Sequence, residues 1–152
     1  MTNDELLRVA HKHVNEEHVS LTKLYVFCEK VHDVQGKTSV LTAFHRATFV
    51  TRENGRTYGP SLNIIEAIYE GTMDGDLLRK FCVNYFAVTV SATWFATRKA
   101  EHFHLQFVFD VMTEMVSARA APTDSTKIKT ANEYCKMLVE AGTEPCEASI
   151  AS

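Results

Sequence analysis

The apolar residues of this chain recur three and four positions apart, and little interrupts them. Across 152 residues there are only three prolines and six glycines. Spacing of i, i+3, i+4 and i+7 gathers side chains on one face of a helix, whereas a half-buried strand would alternate. "SLNIIEAIYEG" places Ile64, Ile65, Ile68 and Tyr69 together, with Ser61 in position to cap. After the turn Gly71–Gly75, Asp76 caps a second run carrying Leu77, Leu78, Phe81, Cys82, Tyr85, Val88 and Ala92. Continuity of that run predicts a helix reaching Phe95, although the β-branched Val88-Thr89-Val90 also suits a strand.

The same reasoning partitions the rest. Thr2 and Glu5 have capping-box spacing ahead of a helix over residues 3–18. Ser20 is placed to cap "LTKLYVFCEKVHDV", whose broad face holds Leu21, Leu24, Tyr25, Phe27, Cys28 and Val31. Gly36 interrupts, and Thr38 or Ser39 restarts a helix whose inward side is Val40, Leu41, Phe44, Ala47 and Thr48, with Phe49 at its edge. "ENGRTYGP" is the strongest loop signal. Thr97 is expected to cap a helix from Ala100 to Ala118, with Phe103, Phe107, Val108, Val111, Met112 and Met115 recurring along it. The expectation is all-α: a single compact helical domain of six to seven helices over residues 1–119. A polar connector (120–130), a C-terminal helix (131–142, stopped by Gly142) and an untethered tail (143–152) follow.

Composition excludes several classes. A net charge of −3, with basic residues scattered, argues against a sequence-independent grip on nucleic acid. No apolar run approaches the roughly 18 residues of a membrane span, and the N-terminus has no hydrophobic signal region, so an intracellular, soluble protein is expected. The four cysteines, Cys28, Cys82, Cys135 and Cys146, show no close spacing and read as reduced thiols.

The segments "LTKLYVFCEKVHDVQGKTSVLTAF" and "PSLNIIEAIYEGTMDGDLLRKFCVNYFA" carry a further pattern. Leu24, Tyr25, Val26, Glu29 and Lys30 are followed by Ile65, Ile68, Tyr69, Glu70 and Thr72, then by Leu78, Arg79 and Lys80. Over residues 20–115 this resembles the helical part that follows the BTB/POZ fold in many fungal BTB-domain proteins. The stretch ahead of Ser20 is too short for the α/β BTB fold itself. Val34-Gln35-Gly36-Lys37 stands where the family continues Ile-Pro-x-Leu. The resemblance implies a helical fold and a role in protein interaction, by a protein partner or by self-association.

No catalytic signature is present: there is no nucleophile elbow and no cysteine in a glycine-rich turn. The Gly71–Gly75 turn runs into Asp76 and reads as a helix stop and cap, not a phosphate cradle. Seven histidines include His11/His13 and His102/His104, but helix positions two apart diverge by about 200°, so no metal site is expected. Aromatic residues on inward stripes are core in the simplest reading. They also suit a pocket for an apolar small molecule, with Tyr25, His45, Tyr69, Tyr85, Trp94, His102 and His104 as candidate polar tips. Two functions are therefore expected: a protein-interaction module, or alternatively a cofactor-free small-molecule enzyme of isomerase or cyclase type. Neither needs a metal or cofactor.

Overall fold

The computed structural model describes residues 2–119 and 129–140. Its elements in chain order are α1 (Asn3–Lys30), α2 (Val34–Phe49), α3 (Leu62–Gly71), α4 (Leu77–Thr89), α5 (Ala92–Ala96), a 3-10 turn (Ala100–His102), α6 (Leu105–Ala118) and α7 (Ala131–Glu140). The fold is all-α, with no strand among the described residues. The chain divides into two units, residues 1–118 and 119–152. Among the described residues no helix is long and apolar enough to cross a membrane.

The Thr2 capping box forms: its hydroxyl accepts from Glu5 N at 3.3 Å, and Glu5 Oε2 accepts from Thr2 N at 2.7 Å. The helix it opens does not stop at residue 18. Ser20 lies inside it, donating to the Glu16 carbonyl at 2.9 Å, so this hydroxyl bonds back along the helix and caps nothing. The buried positions Val14, His18, Thr22, Tyr25 and Cys28 run through the expected break at helical spacing. Leu24, Phe27 and Val31, expected inward, are exposed.

α1 ends with Asp33 N on Cys28 O (2.9 Å) and His32 N on Glu29 O (3.2 Å), a Schellman closure that places His32 at φ 57°. Asp33 then caps α2, accepting from Gly36 N at 2.8 Å. The restart thus precedes Thr38 by a full turn. Gly36 does not interrupt the helix. A Cβ at this position would collide with the Asp33 carboxylate and stand 2.8 Å from Cys28 Sγ.

α1 packs on α2 and α3, α3 on α4, and α4 on α6. Between them lies a core that includes Tyr25, Phe44, Ile65, Ile68, Leu78, Cys82, Phe86 and Phe107. Burial pushes the Cys82 thiol up, and Cys28, Cys82 and Cys135 are free. The turn from α3 to α4 is held from both sides. Asp76 caps α4 at Leu78 N (2.8 Å) and accepts from the Tyr25 hydroxyl (3.0 Å) and from Lys37 Nζ (3.0 Å), which also bonds Glu29. Arg79 is buried and donates to the carbonyls of Tyr69 (2.8 Å) and Thr72, to Thr72 Oγ1 (2.9 Å) and to Asp74 Oδ1 (2.8 Å). Those carbonyls belong to the end of α3, where no further turn of helix supplies donors.

Downstream, α4 stops at Thr89 and does not reach Phe95. Val90 is extended, and Ser91 caps the five-residue α5, accepting from Trp94 N at 3.3 Å. Val88 and Ala92, expected inward, are exposed. Thr97 closes α5 and does not open the next helix. The segment from Ala100 begins as a 3-10 turn, leaving Phe103 off the helix. On α6, Phe107 and Val111 are buried, whereas Met112 and Met115 are exposed. In the second unit, Thr130 caps α7 through a box with Glu133, whose carboxylate accepts from Thr130 N at 2.6 Å. The expected connector before residue 129, the Gly142 stop, Cys146 and the tail lie outside the described residues.

Two substitutions test these closures by chemical denaturation. Arg79→Met leaves buried carbonyls without donors and is expected to cost about 2–4 kcal/mol. His32→Gly relieves a left-handed backbone at a non-glycine residue and is expected to add about 1 kcal/mol.

Candidate functional site

One concavity stands out in the first unit, a groove of about 880 Å³. Four stretches of chain build it. The N-terminal half of α1 contributes His11, Val14, Asn15 and His18. The loop ahead of α3 contributes Tyr58, Gly59 and Ser61, with Glu66 beyond it on the helix. The end of α4 and the break after it bring Tyr85, Phe86 and Ser91, and the α5-to-α6 segment brings Trp94, Arg98, His102, Phe103 and His104.

The α1 wall is fastened by polar contacts. His18 is buried, with Nδ1 3.1 Å from the Val14 carbonyl and Nε2 3.2 Å from Thr48 Oγ1. A carbonyl only accepts, so Nδ1 carries the proton in the neutral ring, and Nε2 accepts when the Thr48 hydroxyl turns to it from the Phe44 carbonyl, 2.9 Å away. Burial lowers the His18 pKa, outweighing the bond to Val14 and the nearby Glu17 carboxylate. Ser61 stands at the start of α3 but makes no cap bond; its hydroxyl donates to Asn15 Oδ1 at 3.0 Å and ties the loop to α1. His11 meets Tyr58 edge-on at 4.5 Å, and Asn54 donates to the Tyr58 hydroxyl at 2.6 Å.

The opposite wall is aromatic. Trp94 contacts Phe86 (5.5 Å), Phe95 (5.2 Å) and Phe103 (5.7 Å) edge-on. The Arg98 guanidinium lies 3.9 Å over the Trp94 ring while Nη1 donates to the Trp94 carbonyl at 3.0 Å. Tyr85 reaches across to Gly59: a Cβ there would sit 2.5 Å from its hydroxyl and 2.6 Å from Cζ. A side chain at 59 would therefore have to displace the Tyr85 ring, since real Cβ contacts are not that short. His104 Nδ1 is buried without a protein partner, in a ring packed at 4.8 Å on Tyr69.

Of the seven residues singled out in the sequence, Tyr85, Trp94, His102 and His104 line this groove. Tyr25, His45 and Tyr69 do not. Tyr25 is buried at the α3–α4 turn, where burial and the adjacent Asp76 push its phenol up to about 12. Tyr69 donates to Asp110 at 2.7 Å and has Arg79 over its ring at 4.4 Å; burial and Asp110 raise its pKa. His45 is exposed against Phe49 and Phe81, at 4.7 and 5.4 Å. The groove also takes in His11, His18, Tyr58 and Arg98, which the sequence reading did not select. Neither His11 nor Arg98 belongs to an apolar stripe, and the burial of His18 becomes visible only once α1 is continuous.

Among the described residues no cluster of three or more His, Cys, Asp or Glu is placed to hold a metal ion. Comparison of the chain with family models, with curated proteins and with solved structures gives no match.

His18 makes the wall sensitive to acid. Its folded pKa lies below the ordinary histidine value, so the unfolded chain binds more protons as pH falls, and stability drops with it. This contribution is fully present above about pH 6.5 and is lost as pH descends from there toward the folded pKa. Thermal melts taken from pH 7.5 downward should show a shallower decline for His18→Gln than for the parent chain; equal slopes would exclude His18 as the group responsible.

Proposed function

We propose that this protein binds a flat organic molecule, largely apolar with a few polar substituents, in the groove between α1 and the α4–α5 break. The observation that carries the proposal is a concavity of about 880 Å³ with an aromatic wall on one side and hydrogen-bonding side chains on the other. Its volume falls in the range of small-molecule sites, roughly 300–1,000 Å³. Trp94 and Tyr85 supply faces and edges for stacking, which suits a planar ring system. Asn15 from α1, and Arg98 and His102 from the α5-to-α6 segment, supply orienting groups. Of the enzymatic expectations, a cofactor-free isomerase or cyclase is the kind this groove serves, since holding a substrate in one geometry beside imidazoles supplies both positioning and proton transfer.

A second reading, the protein-interaction module implied by the resemblance to post-BTB helices, is favoured by a different feature. The outer face of α6 presents Leu105, Phe109, Met112 and Val116 to solvent. A stripe of that kind marks contact with another helix more often than with a small ligand.

Thermal shift and calorimetry with naphthalene, 2-naphthol and anthraquinone test the groove. At least one probe should raise the melting temperature, and Trp94→Ala should weaken its binding tenfold or more, about 1.4 kcal/mol. Absence of a shift with every probe, or undiminished binding by Trp94→Ala, would overturn the assignment.

A further inference from the structure

Helix α6 is fixed in rotation by its inner face. Phe107 and Val111 are buried in the core, and Asp110 is held by the Tyr69 hydroxyl at 2.7 Å and by Gln106 Nε2 at 2.8 Å. The outer stripe is therefore unable to roll inward. It is heavily exposed for apolar side chains: Leu105 84%, Phe109 63%, Met112 58% and Val116 58%. Met115, beside it, is 44% exposed. The steps between the four stripe residues are four, three and four, the spacing of a coiled-coil seam.

We propose that the occupant of this stripe is a second copy of the same chain, with two α6 helices packed antiparallel about a two-fold axis. This rests on the interaction reading and is independent of the groove. The argument for a second copy is the symmetry of the spacing. Four-three-four reads the same in both directions, so a two-fold axis midway between Phe109 and Met112 sets Leu105 of one copy against Val116 of the other. It also sets Phe109 against Met112, and every knob meets an apolar partner. A closed two-fold interface requires that self-complementarity.

The five side chains expose on the order of 600 Å² per copy, so a pair can bury at most on the order of 1,200 Å², the lower bound of specific interfaces. The pair should therefore dissociate on dilution. Phe109 and Met112, at the centre, are the positions where a substitution removes most of the contact.

Sedimentation velocity on the full chain over a wide concentration range is the test. The expected result is a two-copy mass at high concentration that dissociates on dilution. Phe109→Glu should give a single-copy mass at all concentrations while keeping the parent's helical circular dichroism. Met112→Lys serves the same purpose should Phe109→Glu fail to fold. With Cys135 and Cys146 replaced by serine, oxidation of the Leu105→Cys, Val116→Cys double variant should yield a covalent dimer that Leu105→Cys alone does not. A single-copy mass throughout for the parent overturns the proposal, as does a dimer that survives both charged variants. Cross-linking by Leu105→Cys alone overturns the antiparallel arrangement. A monomeric parent whose melting temperature falls on Phe109→Glu shows the stripe covered by other residues of the same chain, and sinks the pairing. A different protein binding the stripe of a monomeric parent sinks it too, but leaves the interaction reading standing. Naphthol and anthraquinone binding, measured on the same samples, reports on the groove separately.

Discussion

Two buried charges hold the α3–α4 turn, and the packing of the first unit is organised around it. Arg79 feeds its guanidinium hydrogens to the carbonyls that the last turn of α3 leaves over, and covers the Tyr69 ring. Asp76 caps α4 and receives Tyr25 from α1 and Lys37 from α2. Burial alone would lower the Lys37 pKa, yet its bonds to Glu29 and Asp76 outweigh that and hold it above the ordinary range. Each charge is neutralised by groups from a different element, so one small turn ties four helices together.

The groove follows from that arrangement and from two features of the chain path. α1 extends past the expected break, so the stretch carrying His11, Asn15 and His18 is continuous with the part packed in the core and forms one wall. α4 ends early, at Thr89, and the extended Val90 lets the chain turn under that wall to present Trp94, Arg98 and His104. Ser61 and Tyr58 then bind the loop between them to α1.

Much of the fold was legible in the residues, in proportion to how local each signal is. The Thr2–Glu5 box, the Asp76 cap and the inward face Ile64, Ile65, Ile68 and Tyr69 depend on neighbours within a turn or two, and all are present. The misread boundaries share a cause. Ser20 and Thr97 each look like opening caps, but a hydroxyl has several backbone partners within reach, and both bond back along a helix instead; Ser61 does stand at the start of α3, with its hydroxyl turned to Asn15. Gly36 looked like a breaker because what it avoids, the Cys28 sulfur and the Asp33 carboxylate, belongs to the preceding corner.

Sequence alone determined that this chain is helical, where its strongest loop falls and which residues form the central hairpin, because periodicity and capping are properties of short segments. It also supplied four residues of the groove, picked as aromatic or imidazole groups on apolar faces. Tertiary structure decided the rest. Tyr25 and Tyr69 had the same local credentials as Tyr85 but spend their hydroxyls on Asp76 and Asp110, 51 and 41 residues away. Tyr85 meets Gly59 across the groove, and Met112 faces outward because Asp110, Phe107 and Val111 face in. Which way a side chain points depends on the rotation of its whole helix against its neighbours, and that rotation is set by contacts far away in sequence.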